Sequence, residues 1–101
     1  MKTVLVAYAS RMGSTREIAA AIGEQLTSRG FEVEVVAAAD AANARAFDAV
    51  ILGSALYMGR WDRDALDYLK RQGPDLAKRP TWLFQSGPSG PPAPIGASWG
   101  L

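Results

Sequence analysis

Three nearly unbroken apolar runs mark the chain: Thr3 to Tyr8, Ala49 to Leu52 and Thr81 to Phe84. Runs of this length without a polar alternate fit strands buried on both faces, as in the middle of a parallel sheet. Between Ser14 and Arg29, Ile18, Ile22 and Leu26 recur every fourth position, while Arg16, Glu24 and Arg29 can face water. This spacing predicts an amphipathic helix that Gly30 stops. Phe31 to Val35 alternates apolar and acidic residues and predicts a strand with one wet face, suited to a sheet edge. Asp40 to Ala46 is short and alanine-rich, with Asp40 placed to cap one or two helical turns. Asp62 to Gln72 predicts a second helix, with Ala65, Leu66 and Leu69 inward and Gly73-Pro74 as its end.

Strands alternating with helices imply an α/β, doubly wound parallel sheet, in which right-handed crossovers put helices on both faces. The strand order expected is 2-1-3-4. Ligands of such sheets sit beyond the carboxyl ends of the strands, where the order reverses between strands 1 and 3. The loops after residues 8, 53 and 85 therefore converge on one crevice.

The first of these loops carries the strongest chemistry. Ser10-Arg11-Met12-Gly13-Ser14-Thr15 joins an apolar strand to a helix start, so hydroxyls gather beside N–H groups that lack helical partners. An anion such as phosphate is stabilised there. Gly13 allows close backbone approach, and Ser10, Ser14 and Thr15 can each donate a hydrogen bond. The same residues also read as a capping box, Ser14 with Glu17, that only starts a helix. Both readings stand on the residues alone.

The segment Ser-x-x-Gly-Ser-Thr followed by Arg-Glu-Ile-Ala resembles the phosphate loop of the flavodoxin-like family, which holds the FMN phosphate there. Two later segments resemble the family's other FMN loops: Gly53-Ser54-Ala55-Leu56-Tyr57-Met58-Gly59-Arg60-Trp61, and Gln85-Ser86-Gly87-Pro88-Ser89-Gly90. The Gly-Ser-x-x-Tyr-x-Gly pattern is most similar to the flavodoxin-domain group that includes menaquinone-dependent protoporphyrinogen dehydrogenase. The resemblance implies a flavodoxin-like fold and FMN as cofactor. It implies cofactor binding by Ser10, Arg11, Met12, Gly13, Ser14 and Thr15, by Ser54, Ala55, Leu56, Tyr57, Met58 and Gly59, and by Ser86, Gly87, Pro88, Ser89 and Gly90. Tyr57 and Trp61 either lie against the flavin ring or pack on the neighbouring helix, and Met58 is either core filler or flavin neighbour. Arg11 either offsets phosphate charge or faces solvent.

Composition narrows the class. With 101 residues and 49% hydrophobic positions the chain suits one compact domain. It has no cysteine and no histidine, which excludes disulfides, thiol nucleophiles, iron–sulfur ligation and the commonest zinc sites. Redox chemistry then requires a bound organic cofactor. No apolar stretch reaches the roughly 18–20 residues of a membrane span, and Met1-Lys2 leads straight into a strand, so a cytoplasmic protein is expected. Eleven basic residues balance ten acidic ones, for a net charge of +1. That balance ill suits the acidic electron-shuttle role of small flavodoxins, and the interspersed charges give no nucleic-acid footprint. Arg60, Arg63, Lys70, Arg71, Lys78 and Arg79 form either a solvated helix face or a mildly basic site for an acidic substrate.

Other occupants of this topology lack their residues. A phosphate-accepting receiver domain needs acidic residues after strands 1 and 3, where Tyr8-Ala9-Ser10 and Gly53-Ser54 stand. No Gly-Lys-Ser/Thr completes a Walker loop, and one glycine is too few for a dinucleotide turn. No metal site is expected.

Beyond residue 85 the resemblance weakens. Ser86 to Pro94 is rich in proline and glycine, so residues 1–90 read as a truncated flavodoxin-like domain and 91–101 as an irregular tail. The fifth strand and last helices of the family are missing from this reading. The fourth strand then becomes an uncovered apolar edge, for which a homodimer or a partner chain is expected. No side chain stands out as general acid or base; Asp48 reads as a turn and Asp62 as a helix start. The function implied is an FMN-binding redox protein, an oxidoreductase acting on a small molecule such as a quinone or porphyrin at flavin N5. The alternative is a chain without flavin that serves as an interaction module completed by a partner.

Overall fold

The structure, a computed structural model, describes residues 2–10, 13–57, 59–86 and 93–95, with the side chains of Tyr57 and of residues 93–95 left aside. Strand β1 (Thr3–Ala9) leads to helix α1 (Ser14–Ser28) and strand β2 (Glu32–Ala37). Two single 3₁₀ turns, Ala38–Asp40 and Ala44–Ala46, precede β3 (Ala49–Tyr57). The short β4 (Arg60–Trp61) folds back on β3, α2 (Arg63–Leu76) follows, and β5 (Thr81–Ser86) and β6 (Ala93–Ile95) complete the sheet. The sheet order is β2-β1-β3-β5-β6, parallel from β2 to β5, and β4 pairs antiparallel with β3 alone. Because β5 is the expected fourth strand, the observed order contains the expected 2-1-3-4.

Alternation along β1 distributes the core. Leu5, Ala7 and Ala9 face α2 and pack with Leu52, Ala65 and Tyr68, whereas Val4 and Val6 face α1 with Ala19 and Phe84. The N–H of Gly30, at φ +95, bonds to Thr27 O at 3.0 Å, and that of Phe31 bonds to Leu26 O at 3.2 Å. This pair of bonds is a Schellman stop, and it needs the left-handed residue that glycine supplies. On α1, Gly23 lies where a Cβ would come within 2.6 Å of Val35 Cγ2, so the helix rests directly on β2.

Several expectations are corrected. Helix α2 runs through Gly73-Pro74 to Leu76. Its last turn is held by tertiary contacts: Leu76 is buried, its carbonyl accepts from Thr81 Oγ1 at 3.0 Å, and Arg79 Nε donates to Asp75 O at 2.7 Å. Near a helix end the missing proline N–H costs one hydrogen bond, and these contacts offset it. Leu66 is 49% exposed rather than inward; the inward row is Ala65, Tyr68, Gln72 and Leu76. Asp40 ends its 3₁₀ turn and makes no side-chain cap there.

The β5 edge also differs from expectation. β6 pairs antiparallel with it, Leu83 opposite Ile95 and Gln85 opposite Ala93, inside the stretch read as irregular. Proline at position 94 restricts such a strand to an edge, which is where it lies. The fifth parallel strand is absent among the described residues. Among the described residues helix α1 alone covers its face of the sheet, and an apolar groove of about 370 Å³ opens beside it, lined by Val4, Ile22, Leu26, Ile51, Trp82 and Phe84.

Away from the carboxyl ends, polar ties fix the connections. Arg79 Nη1 donates to Ala44 O at 2.9 Å and Phe47 O at 2.8 Å, which removes it from the solvated basic face. Gln72 Oε1 accepts from Ala44 N at 2.9 Å. Tyr68 is buried with its hydroxyl on Ala42 O at 3.0 Å; burial pushes the phenol pKa up, and the Arg71 guanidinium lies 5.9 Å from the ring centre. Asp48, the expected turn before β3, accepts from Thr3 N at 2.8 Å, and that backbone bond chiefly lowers its pKa below the usual carboxylate value.

Candidate functional site

The expected first and third loops meet at the start of α1. Gly13 occupies the N-cap in the left-handed region, φ +86, and makes no side-chain cap. Ser14 is consequently the first helical residue, and the Ser14–Glu17 capping box does not form; Glu17 N bonds instead to Gly13 O at 3.0 Å. Ser10 Oγ accepts from Gly13 N at 3.2 Å and closes the loop on itself. Ser14 Oγ lies 3.3 Å from Ser86 Oγ, at the buried end of β5.

Directly after Ser14 comes Thr15, fully buried, whose Oγ1 has no hydrogen-bond partner among the described residues. A buried hydroxyl without a partner costs about 1–3 kcal/mol, so a native chain normally satisfies it. Ser10 with Gly13, and Ser14 with Ser86, thus gather polar groups at the positive end of a 15-residue helix, whose first turn also holds the Thr15 hydroxyl.

The second loop is a hairpin. Leu56 pairs with Trp61 and Tyr57 with Arg60, and Gly59 takes φ +77 between the two arms. Ser54 is buried; its Oγ donates to Ala55 O at 2.8 Å and accepts from Asp62 N at 2.8 Å, so it holds the hairpin from beneath. Asp62 in turn caps α2, its Oδ1 accepting from Asp64 N at 2.9 Å. Gly53 has a different reason to be glycine: a Cβ would fall 2.0 Å from Phe84 Cζ.

Trp61 packs against the α2-side core and its Nε1 donates to Gln85 Oε1 at 3.2 Å. Gln85 stands in the third-loop segment but outside the expected site residues, and its bond to Trp61 was not among the contacts expected. The loop-facing crevice, about 860 Å³, runs from Ser10 past Trp61 to Leu66 and carries Arg60 and Arg63 interleaved with Asp62, Asp64 and Asp67. Its charge is mixed and not basic. Arg11, Met12, Met58, Gly87, Pro88, Ser89 and Gly90, and the Tyr57 side chain, lie outside the described residues. Among the described residues no group of acidic side chains could hold a metal, and no helix is long and apolar enough to cross a membrane.

Known proteins share this fold. The chain is similar to a short-chain flavodoxin associated with a PDU bacterial microcompartment, at 24% identity over 86% of this chain and 62% of that one, TM-score 0.77. Flavodoxin 2 of Bacillus cereus is 28% identical over 84% of this chain and 61% of its own, TM-score 0.66. A Fusobacterium nucleatum flavodoxin bound to flavin mononucleotide is 21% identical over 86% and 53%, TM-score 0.71. The chain thus spans less than two thirds of the length of each of these flavodoxins. No curated protein sequence matches. A flavodoxin-domain family model matches residues 5–91, most of the chain, and the chain belongs to the flavodoxin-domain family.

Proposed function

We propose that the chain binds FMN through the Ser10–Thr15 loop and works as a flavin-dependent redox protein. The observation that carries this reading is the buried, unpartnered Thr15 Oγ1, a donor set at the start of α1 where a phosphate oxygen would satisfy it. Ser14 and Ser86 add a pair of hydroxyls at the same helix start, and the left-handed Gly13 leaves open space, with no described atom within 4 Å of a Cβ placed there. When bound, FMN supplies electron or hydride transfer at its ring. The chain's part is to hold the phosphate on the Ser10–Thr15 loop and to shape the ring-side wall from the 54–61 hairpin and the end of β5. The similarity to a flavodoxin bound to the same cofactor supports the assignment.

For the redox partner we favour a quinone or a porphyrin, as in the protoporphyrinogen dehydrogenase group. The Gly-Ser-x-x-Tyr-x-Gly hairpin and a crevice wall made by Trp61 and Leu66 support a flat apolar substrate. A second reading, an interaction module completed by a second copy or a partner chain, draws on the apolar groove beside α1.

Titration of the purified chain with FMN, followed by flavin fluorescence, tests the first reading. Saturable quenching is expected, retained in Gly13→Asn and lost in Gly13→Asp, since both side chains enter the same left-handed position and only one carries a charge that repels phosphate. No quenching at high micromolar FMN would reject flavin binding in favour of the interaction module.

A further inference from the structure

Gln85 and Ser86 are the last residues of β5, and their side chains project to opposite faces of the sheet. Ser86 reaches Ser14 in the phosphate loop. Gln85 reaches the other way, across 24 residues of sequence, to the Trp61 indole on the returning arm of the 54–61 hairpin. In register, Gln85 lies beside Ser54 of β3, whose hydroxyl holds Asp62 N on the same arm. The arm is therefore tied at adjacent residues, 61 and 62, to the ends of two neighbouring strands. Among the described residues the hairpin has two ladder pairs of its own, Leu56–Trp61 and Tyr57–Arg60, which is too little to hold a fixed position unaided.

We propose that Gln85 is a positioning residue for the ring-side half of the cofactor site: through the Trp61 indole it sets the hairpin against the end of β5, independently of the phosphate loop. The proposal rests on the FMN reading for its functional consequence, but its structural half is testable without ligand. If Gln85 acts in this way, its loss loosens recognition of the ring and leaves recognition of phosphate intact. A general folding defect would weaken both.

The experiment compares the wild-type chain, Gln85→Leu, Gln85→Glu, Trp61→Phe and the Gln85→Leu/Trp61→Phe pair. In the free chain, proton–nitrogen correlation spectra resolve the three tryptophan indole N–H groups, and Trp61→Phe assigns one of them. The Trp61 resonance should shift and lose exchange protection in Gln85→Leu and stay near its wild-type position in Gln85→Glu, which keeps an acceptor oxygen at the same reach. With ligand, Gln85→Leu should weaken FMN binding by about tenfold, the scale of one lost hydrogen bond, and leave binding of inorganic phosphate unchanged. Gln85→Leu should add nothing in the Trp61→Phe background, because the two residues act as one unit.

An unmoved indole resonance in Gln85→Leu overturns the proposal, as does a matching loss of FMN and phosphate binding or an additive double variant. If wild type binds no FMN while the indole responds as expected, the FMN reading fails and the bracing of the hairpin by Gln85 stands.

Discussion

Replacing Thr15 with valine should make the free chain more stable and the cofactor complex weaker, an opposition that few substitutions produce. Thr15 is fully buried and its Oγ1 has no partner among the described residues, so in the free chain the hydroxyl has lost its water without replacement. Such a group costs about 1–3 kcal/mol, and valine keeps the branched shape while removing it. Taking the lower end, to allow for imperfect repacking, the gain is about 1 kcal/mol, or roughly 4–8 °C in Tm for a domain of this size. On the proposed reading the same hydroxyl would donate to a charged phosphate oxygen, a bond of about 1.5–3 kcal/mol, so affinity for FMN should fall by roughly ten- to 150-fold. Thermal melts by circular dichroism, with and without FMN at fixed concentration, read both effects at once, because ligand stabilises the folded chain by RT times the logarithm of one plus the ratio of its concentration to Kd, and so raises Tm less as Kd grows. A lower Tm for the free Thr15→Val chain, or an FMN-induced shift equal to wild type, refutes the reasoning.

Gly53→Ala places a methyl 2.0 Å from Phe84 Cζ, in a core that cannot yield by that much without displacing the ring; urea denaturation should show a loss of about 3 kcal/mol or more, and a loss below 1 kcal/mol would mean that Phe84 moves freely. Asp48 has a lowered folded-state pKa, held by the Thr3 N–H, so its contribution is present above the unfolded value of 3.8 and disappears as pH falls below it. Asp48→Asn should therefore lower stability at pH 7 and narrow its difference from wild type as the pH drops below 3.8; equal differences at both pH values would deny the carboxylate that role.

The sheet was legible because its central strands are covered on two faces and must be apolar throughout, as Thr3 to Tyr8 and Ala49 to Leu52 are. Helix α1 was legible for a local reason: Ile18, Ile22 and Leu26 form one stripe and Gly30 supplies its stop. Helix α2 was misjudged where local and tertiary signals disagree. Gly73-Pro74 reads as an end, yet burial of Leu76 and the bonds from Arg79 and Thr81 keep one more turn. Leu66 sits one residue from Ala65, which on a helix is enough to turn it from the core to the crevice rim. In the site, the hydroxyl-rich loop announced itself by residue type and by its place between strand and helix. Nothing local announces the Gln85 contact, since its partner depends on how a hairpin 24 residues away folds back. The Ser14–Glu17 box failed because Gly13 takes the cap one position earlier.

The two borders of the sheet bear on how copies of this chain meet. β2 carries Glu32 and Glu34, both exposed, along one border, and β6 carries Pro94 along the other. Like charges brought side by side oppose pairing of one β2 with another, and a proline removes a donor from any ladder that would extend beyond β6. Strand-by-strand growth into a fibre is thus disfavoured at each end by a different device, one electrostatic and sensitive to salt, the other built into the backbone and indifferent to it.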